Sequence, residues 1–243
     1  MEFNPLDIIS VIFFFISWIS YTVYTRRVAK KRDSLSSVLY RFRKEWVQKL
    51  SENGMSEVDA EMLATLERQV SFFASTSLLI LATLVTVLGT SSDAFVNISS
   101  SSFIVNASKE MIQLKLLLLI FIFTYAFFTF TWSIRQYGFC FTIFGSTFRT
   151  VKYYQDHDNA KRVHNEQRDL VHLAKLLDRA GHSYNYGLRA YYFALAAMTW
   201  FIHPAFFIFS LALTVIVLYR REFKSSALQA MVDSRRAIKT TEQ

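Results

Sequence analysis

The sequence predicts an all-α integral membrane protein: a helical bundle of about four transmembrane helices with amphipathic helices on its cytoplasmic side. Three observations predict it. Several apolar runs reach the roughly 20 residues a helix needs to cross a bilayer core, which a soluble domain of 243 residues would not carry. The composition is 52% hydrophobic and 16% aromatic with only 2 Pro and 6 Gly, so little interrupts those runs. The 27 Lys and Arg cluster just outside the runs, as orienting charges do.

The first apolar segment, about residues 6–24, is followed by Arg26, Arg27, Lys30, Lys31 and Arg32. A secretory signal has its charges before the apolar core and a small-residue cleavage site after it, so this order predicts a retained span. The positive-inside rule then puts the N-terminus outside and the basic cluster in the cytoplasm of a bacterial inner membrane. Residues 25–69 form a first cytoplasmic segment. Within it Val38, Leu39, Phe42, Trp46, Val47 and Leu50 recur at helical spacing among Arg41, Arg43, Lys44 and Lys49. That pattern predicts an amphipathic helix that lies on the inner leaflet or against the bundle. Asn53-Gly54 ends it, and Ser56 with Asp59 three residues on starts the next helix as a capping box.

The second span covers about 70–89, with Ser71, Ser75, Ala82, Thr86 and Gly89 on one face, where small residues let another helix approach. A Ser-rich loop, nearly free of Lys and Arg, follows on the outside; its sequons at Asn97 and Asn106 are of a kind that arises by chance in such a loop. The third span, about 114–136, continues in apolar character to Phe148. Such a helix is about 50 Å long at about 1.5 Å per residue, so it projects into the cytoplasm. Residues 149–189 form the second cytoplasmic segment. The last apolar stretch, 190–219, is long for one upright span and short for two. A single tilted or kinked span is preferred over a re-entrant hairpin turning at His203-Pro204. It leaves the tail from Arg220 outside with six Lys and Arg, against positive-inside; the eighteen in the two middle segments outweigh them. Residues 1–243 read as a single membrane domain.

The net charge of +8 sits where anionic lipid headgroups would meet it, so the lipid bilayer is the expected partner. No zinc knuckle, RNA-binding signature or basic zipper supports nucleic acid. The one cysteine, Cys140, lies between Phe139 and Phe141 and reads as a buried, inert thiol. No phosphate loop, His-Glu-x-x-His or Gly-x-Ser-x-Gly pattern occurs, so no enzyme activity, cofactor or catalytic residue is expected. His157, His164 and His172 are spaced 7 and 8, too far apart for a helical metal pair, and with His182 they read as solvated.

Polar residues inside the spans fall into two seams. On the third helix they are Thr124, Thr131, Arg135, Thr142 and Arg149; on the fourth they are Tyr192, Thr199, His203, Ser210, Thr214 and Arg221. Spacings of 4 and 7 keep each set on one helix face. Such faces either hydrogen-bond across the bundle or line a watery path ending in cations, suited to an anion. Arg135 near the inner interface also predicts an ion pair with Glu67, the carboxylate closest to a span at that level.

Several stretches resemble the family catalogued as domain of unknown function 599, found in bacteria and plants. They are Leu6-Asp7, Thr65-Leu66-Glu67-Arg68-Gln69 and Ser133-Ile134-Arg135-Gln136. The longest is Gly187-Leu188-Arg189-Ala190-Tyr191-Tyr192-Phe193-Ala194-Leu195, continuing through Trp200, Pro204 and Leu218-Tyr219-Arg220-Arg221-Glu222-Phe223. The resemblance implies a helical membrane protein of roughly four spans and carries over no site residues. Two functions follow as expectations. One is a homo-oligomer that conducts ions or small anions between its third and fourth helices. The other is a non-conducting assembly or regulatory subunit of a membrane complex, acting through its basic amphipathic helices.

Overall fold

The computed structural model describes residues 5–29, 32–53, 56–90, 109–153 and 159–241, and among them the only regular structure is helix. The elements are α1 (Pro5–Val28), α2 (Leu35–Asn53), α3 (Glu57–Gly89), α4 (Lys109–Tyr153), α5 (Asn159–Met198), a 3-10 turn (Thr199–Phe201), α6 (Pro204–Phe223) and α7 (Ser226–Thr241). Four stretches are long and apolar enough to cross a membrane: Pro5–Val28, Glu57–Gly89, Glu110–Gly145 and Pro204–Arg236. Large apolar side chains exposed along them, among them Ile12, Phe72, Phe128 and Phe209, are what lipid would cover. The sequons at Asn97 and Asn106 and the imidazole of His157 lie outside the described residues.

Helix starts follow local chemistry. Pro5 opens α1, where its missing N–H costs nothing. The Ser56 hydroxyl accepts from the Asp59 N–H while the Asp59 carboxylate accepts from the Ser56 N–H, the reciprocal cap expected at α3. Asp59 also accepts a bond of 2.8 Å from Trp46 Nε1, which ties α2 to the foot of α3.

The expected single helix across 190–219 is two helices. α5 ends at Met198, the chain makes a 3-10 turn, and α6 begins at Pro204 with His203 in extended conformation as its N-cap. Proline explains the break: it tolerates the first turn of a helix but disfavours helical geometry in the residue before it. The His203 ring nitrogen then accepts from the Ala205 N–H at 3.1 Å. The two helices form an antiparallel hairpin, as their partners on α1 show. Near Asp7, Trp200 reaches α1, and Phe14 packs against both Phe193 of α5 and Phe207 of α6. At the other end of α1, Thr25 meets Arg189 of α5, and Tyr24 meets Tyr219 and Phe223 of α6. Asp7 and Thr25 are eighteen residues apart. At about 1.5 Å per residue that is roughly 27 Å, close to the roughly 30 Å hydrocarbon thickness of a bilayer.

The end of α5 is the centre of this layer. Ala190, Phe193, Ala194, Ala196, Ala197 and Trp200 are buried by α1, α3, α4 and α6, with alanines allowing the close approach. Gly187 serves the same packing, since a Cβ there would run into the Phe130 ring of α4.

Beyond the Arg189 level, α4 and α5 continue side by side. Ser133 Oγ donates to the Ala180 carbonyl at 2.7 Å, and Ser183 Oγ donates to Gln136 Oε1 at 3.3 Å. α2 stands against this extension. It buries Val38, Val47 and Leu50, and its Arg43 pairs with Asp178 at 2.9 Å. On α3 the buried face is Leu63, Val70, Ala74 and Ser77, so Ser75, Ala82, Thr86 and Gly89 of the expected packing face are exposed.

Candidate functional site

Two polar clusters sit at opposite ends of the membrane layer, and both are built around the α5–α6 hairpin. At one end, the Trp200 indole N–H donates to Asp7 Oδ1 at 2.7 Å, and Lys115 Nζ donates to the Trp200 carbonyl at 2.9 Å. The break after Met198 explains the second bond. A helix that stops leaves carbonyls without partners, and a cation both satisfies one and offsets the negative end of the helix dipole. Lys115 also lies over the Trp200 ring at 5.3 Å. Asp7 lies in the first turn of α1, where the helix dipole favours an anion.

At the other end, Arg189 of α5 pairs with Glu222 of α6 at 3.4 Å, with side chains 13% and 12% exposed. Glu222 Oε1 accepts from the Ser36 hydroxyl at 2.7 Å and from the Ser36 N–H at 3.3 Å, and Arg189 donates to Thr25 Oγ1 at 3.2 Å. Arg189 also faces the Tyr21 ring at 5.3 Å. One ion pair thus joins α1, α2, α5 and α6. Arg26 donates to the Tyr186 hydroxyl at 2.9 Å beside it. Between the clusters, the Tyr191 hydroxyl shares a 3.0 Å bond with Ser77 of α3 and donates to the Phe73 carbonyl. Among the described residues no buried side-chain nitrogen or oxygen lacks a partner.

The seam residues lie elsewhere. α4 buries Ser133, Gln136, Tyr137 and Cys140, which turns Arg135 outward beside the exposed Trp132 and Phe139. Thr131 donates to the Phe127 carbonyl and Thr142 to the Gly138 carbonyl, each within its own helix; Thr124 is half-buried. The second seam assumed one helix, and the break divides it. Tyr192 is on α5, Thr199 and His203 are at the turn, and Ser210, Thr214 and Arg221 are on α6. Thr199 bonds back to Ala196, His203 is exposed, Ser210 and Thr214 are half-buried, and Arg221 donates to the Tyr192 hydroxyl. No ion pair joins Glu67 and Arg135 among the described residues, since Glu67 is on the inner side of α3 and Arg135 points away from the bundle. The side chain of Arg149 is outside the described set.

Asp7, Lys115, Arg189 and Glu222 are the polar residues that sequence spacing missed. Lys115 had a signal, being a cation between Leu114 and Leu116 inside an apolar run. Arg189 and Glu222 bracket the hairpin, and only its fold makes them neighbours.

On the extension, α2 and α7 flank a cavity of about 700 Å³ lined by Asp33, Arg41, Lys44, Glu45, Gln48 and Arg235 among others. Arg41 pairs with Asp33 at 3.1 Å and Arg235 with Glu45 at 2.6 Å, and with Lys44 and Arg236 the lining carries a net positive charge. Cys140 is buried.

These features define a class: a helical membrane protein with a helical hairpin pinned at both ends by paired polar side chains. A family model described as "Protein of unknown function, DUF599" matches residues 9–227, and the chain belongs to that family. No curated protein and no solved structure matches it.

Proposed function

We propose that the protein is a non-conducting assembly or regulatory subunit of a membrane complex. On this reading it is a fixed membrane platform that presents the basic helical extension formed by α2, α7 and the far ends of α4 and α5. The observation that supports it most is the pairing inside the membrane layer. Asp7, Lys115, Arg189, Glu222, Ser77 and Tyr191 are engaged with partners on other helices, and the Thr131 and Thr142 hydroxyls bond within their own helix. Water-lined paths need polar groups left open to a passing ion. α2 favours the same reading. Its apolar face is spent on the bundle while Arg41, Lys44 and Lys49 remain exposed to anionic headgroups or to an acidic partner. The proposal includes no catalysis and no nucleic acid. It places the chain in the bacterial inner membrane with the N-terminus outside and the basic extension in the cytoplasm.

Anion flux into liposomes carrying the purified protein is the test. The expected result is no flux above empty liposomes from pH 5 to 8, together with a native mass in mild detergent above that of the 28.3 kDa chain. Flux that falls when Arg135 or His203 is replaced would restore the permeation reading.

A further inference from the structure

The cavity between α2 and α7 gathers cations that its own carboxylates do not balance. Arg41, Lys44, Glu45 and Gln48 line it from one face of α2, and Val232, Arg235 and Arg236 line it from one turn of α7. The Arg235–Glu45 pair crosses from one helix to the other and so ties the two walls together. Arg41 meets Asp33 through Nη1 and Arg235 meets Glu45 through Nη2, and the other N–H groups of both guanidiniums have no partner among the described residues. Lys44 has neither an ion pair nor a hydrogen bond to a described residue, and the Tyr40 hydroxyl has no hydrogen bond to one. Arg41 and Lys44 are exposed, so their charges are open to a ligand; Tyr40 and Val232, both half-buried, give the wall an apolar part.

A volume of about 700 Å³ is of the size that holds a small organic molecule. Two guanidinium forks and an ammonium around one space match a phosphate, whose several oxygens accept from all three; a carboxylate has only two. We propose that this cavity binds a phosphate ester, with its phosphate among Arg41, Lys44 and Arg235 and its apolar part against Tyr40 and Val232. Two sources of that chemistry reach it. Ser36, at the start of α2, bonds to Glu222 at the end of α6, and Lys44 lies eight residues further along α2, roughly 12 Å. The cavity therefore adjoins the membrane end of the extension, within reach of an anionic phospholipid headgroup and open to a soluble phosphate ester. The site deepens the platform reading by naming what the basic extension takes, and it rests on that reading only for the side of the membrane on which it lies.

The test has two arms, both on the delipidated full chain in uncharged detergent. One is calorimetric titration with phenyl phosphate; the other is native mass spectrometry of the retention of phosphatidic acid against phosphatidylcholine. Saturable binding of one phenyl phosphate per chain identifies a soluble source, and retention of one phosphatidic acid with a preference of about tenfold identifies a headgroup. Either result supports the site when the variants agree. Lys44→Gln and Arg41→Gln, each at an exposed position, should weaken the binding about tenfold with unchanged helix content by circular dichroism. Lys49→Gln removes the same charge from α2 outside the lining and should leave binding within about twofold. Binding in neither arm overturns the site. A loss with Lys49→Gln as large as that with Lys44→Gln overturns it too, since diffuse surface charge then accounts for the binding. Both arms read ligand binding, so their failure is distinct from the flux and native-mass results that would overturn the platform reading.

Discussion

α1 and the last eleven residues of α5 run beside each other in opposite directions, and their sequences differ in kind. α1 is apolar nearly all round, and most of its Ile and Phe side chains are exposed. The α5 segment is rich in alanine and tyrosine; it buries Ala190, Phe193, Ala194, Ala196 and Ala197 and exposes only Leu195 and Met198. In water the more hydrophobic helix would be the buried one. In a bilayer the rule changes, because lipid is as apolar as leucine and the interior is chosen by close packing and hydrogen bonding. Hydropathy therefore marks α1 as lipid-facing, while small and polar-tipped aromatic residues mark α5 as the core.

That contrast is open to breakage. Trp200→Ala should give the largest effect, about 3–5 kcal/mol of unfolding free energy, because it empties a fully buried site and removes the donor to Asp7. Trp132→Ala, on the exposed face of α4, should change stability by no more than about 0.5 kcal/mol. Equilibrium unfolding in mixed micelles separates the two, and equal losses would mean that the end of α5 and the turn after it are not the core.

Next in size is the pin at the other end. Removing one partner of a desolvated ion pair costs about 3–5 kcal/mol, and the partial exposure of Arg189 and Glu222 lowers the expectation to about 1–3. Arg189→Gln and Glu222→Gln should couple by about 1 kcal/mol or more in a double-mutant cycle. Additive losses would show that the hairpin is not held there.

Glycines give the smallest contrast and the finest. Gly187→Val places side-chain atoms in the buried Phe130 ring and should cost about 1–3 kcal/mol. Gly138, where an added Cβ meets nothing within 4 Å, should accept alanine with a gain of about 0.5–1 kcal/mol from helix propensity. A Gly187→Val protein of unchanged melting temperature would contradict close approach of α4 and α5.

The same physics sets what sequence reading could reach. All-helical class, the apolar spans and the long α4 were legible because each rests on a run of side chains and on local chemistry such as the Ser56–Asp59 cap. The hairpin was legible only as an alternative. The run from Tyr191 to Tyr219 is apolar on both sides of Pro204, and hydropathy does not record chain direction. The seams meet a related limit. Periodicity shows that Thr131 and Thr142 share a face, but a threonine hydroxyl can bond to the carbonyl four residues back and needs no partner across the bundle. Arg189 and Glu222 are thirty-three residues apart and Asp7 and Trp200 one hundred and ninety-three, so no local pattern could pair them.

Chain direction after Pro204 is the central claim, and thiol labelling in intact vesicles tests it most directly. With Cys140 replaced by alanine, single cysteines at Lys49, His203 and Ser234 report the extension, the hairpin turn and α7, all at exposed or half-buried positions. The hairpin predicts that an impermeant reagent reaches Lys49 and Ser234 from one side of the membrane and His203 from the other. It also returns the six Lys and Arg of the tail to the side of the other basic segments, as the positive-inside rule requires. Labelling of Ser234 from the side opposite Lys49 would contradict the hairpin and restore a single span across 190–219.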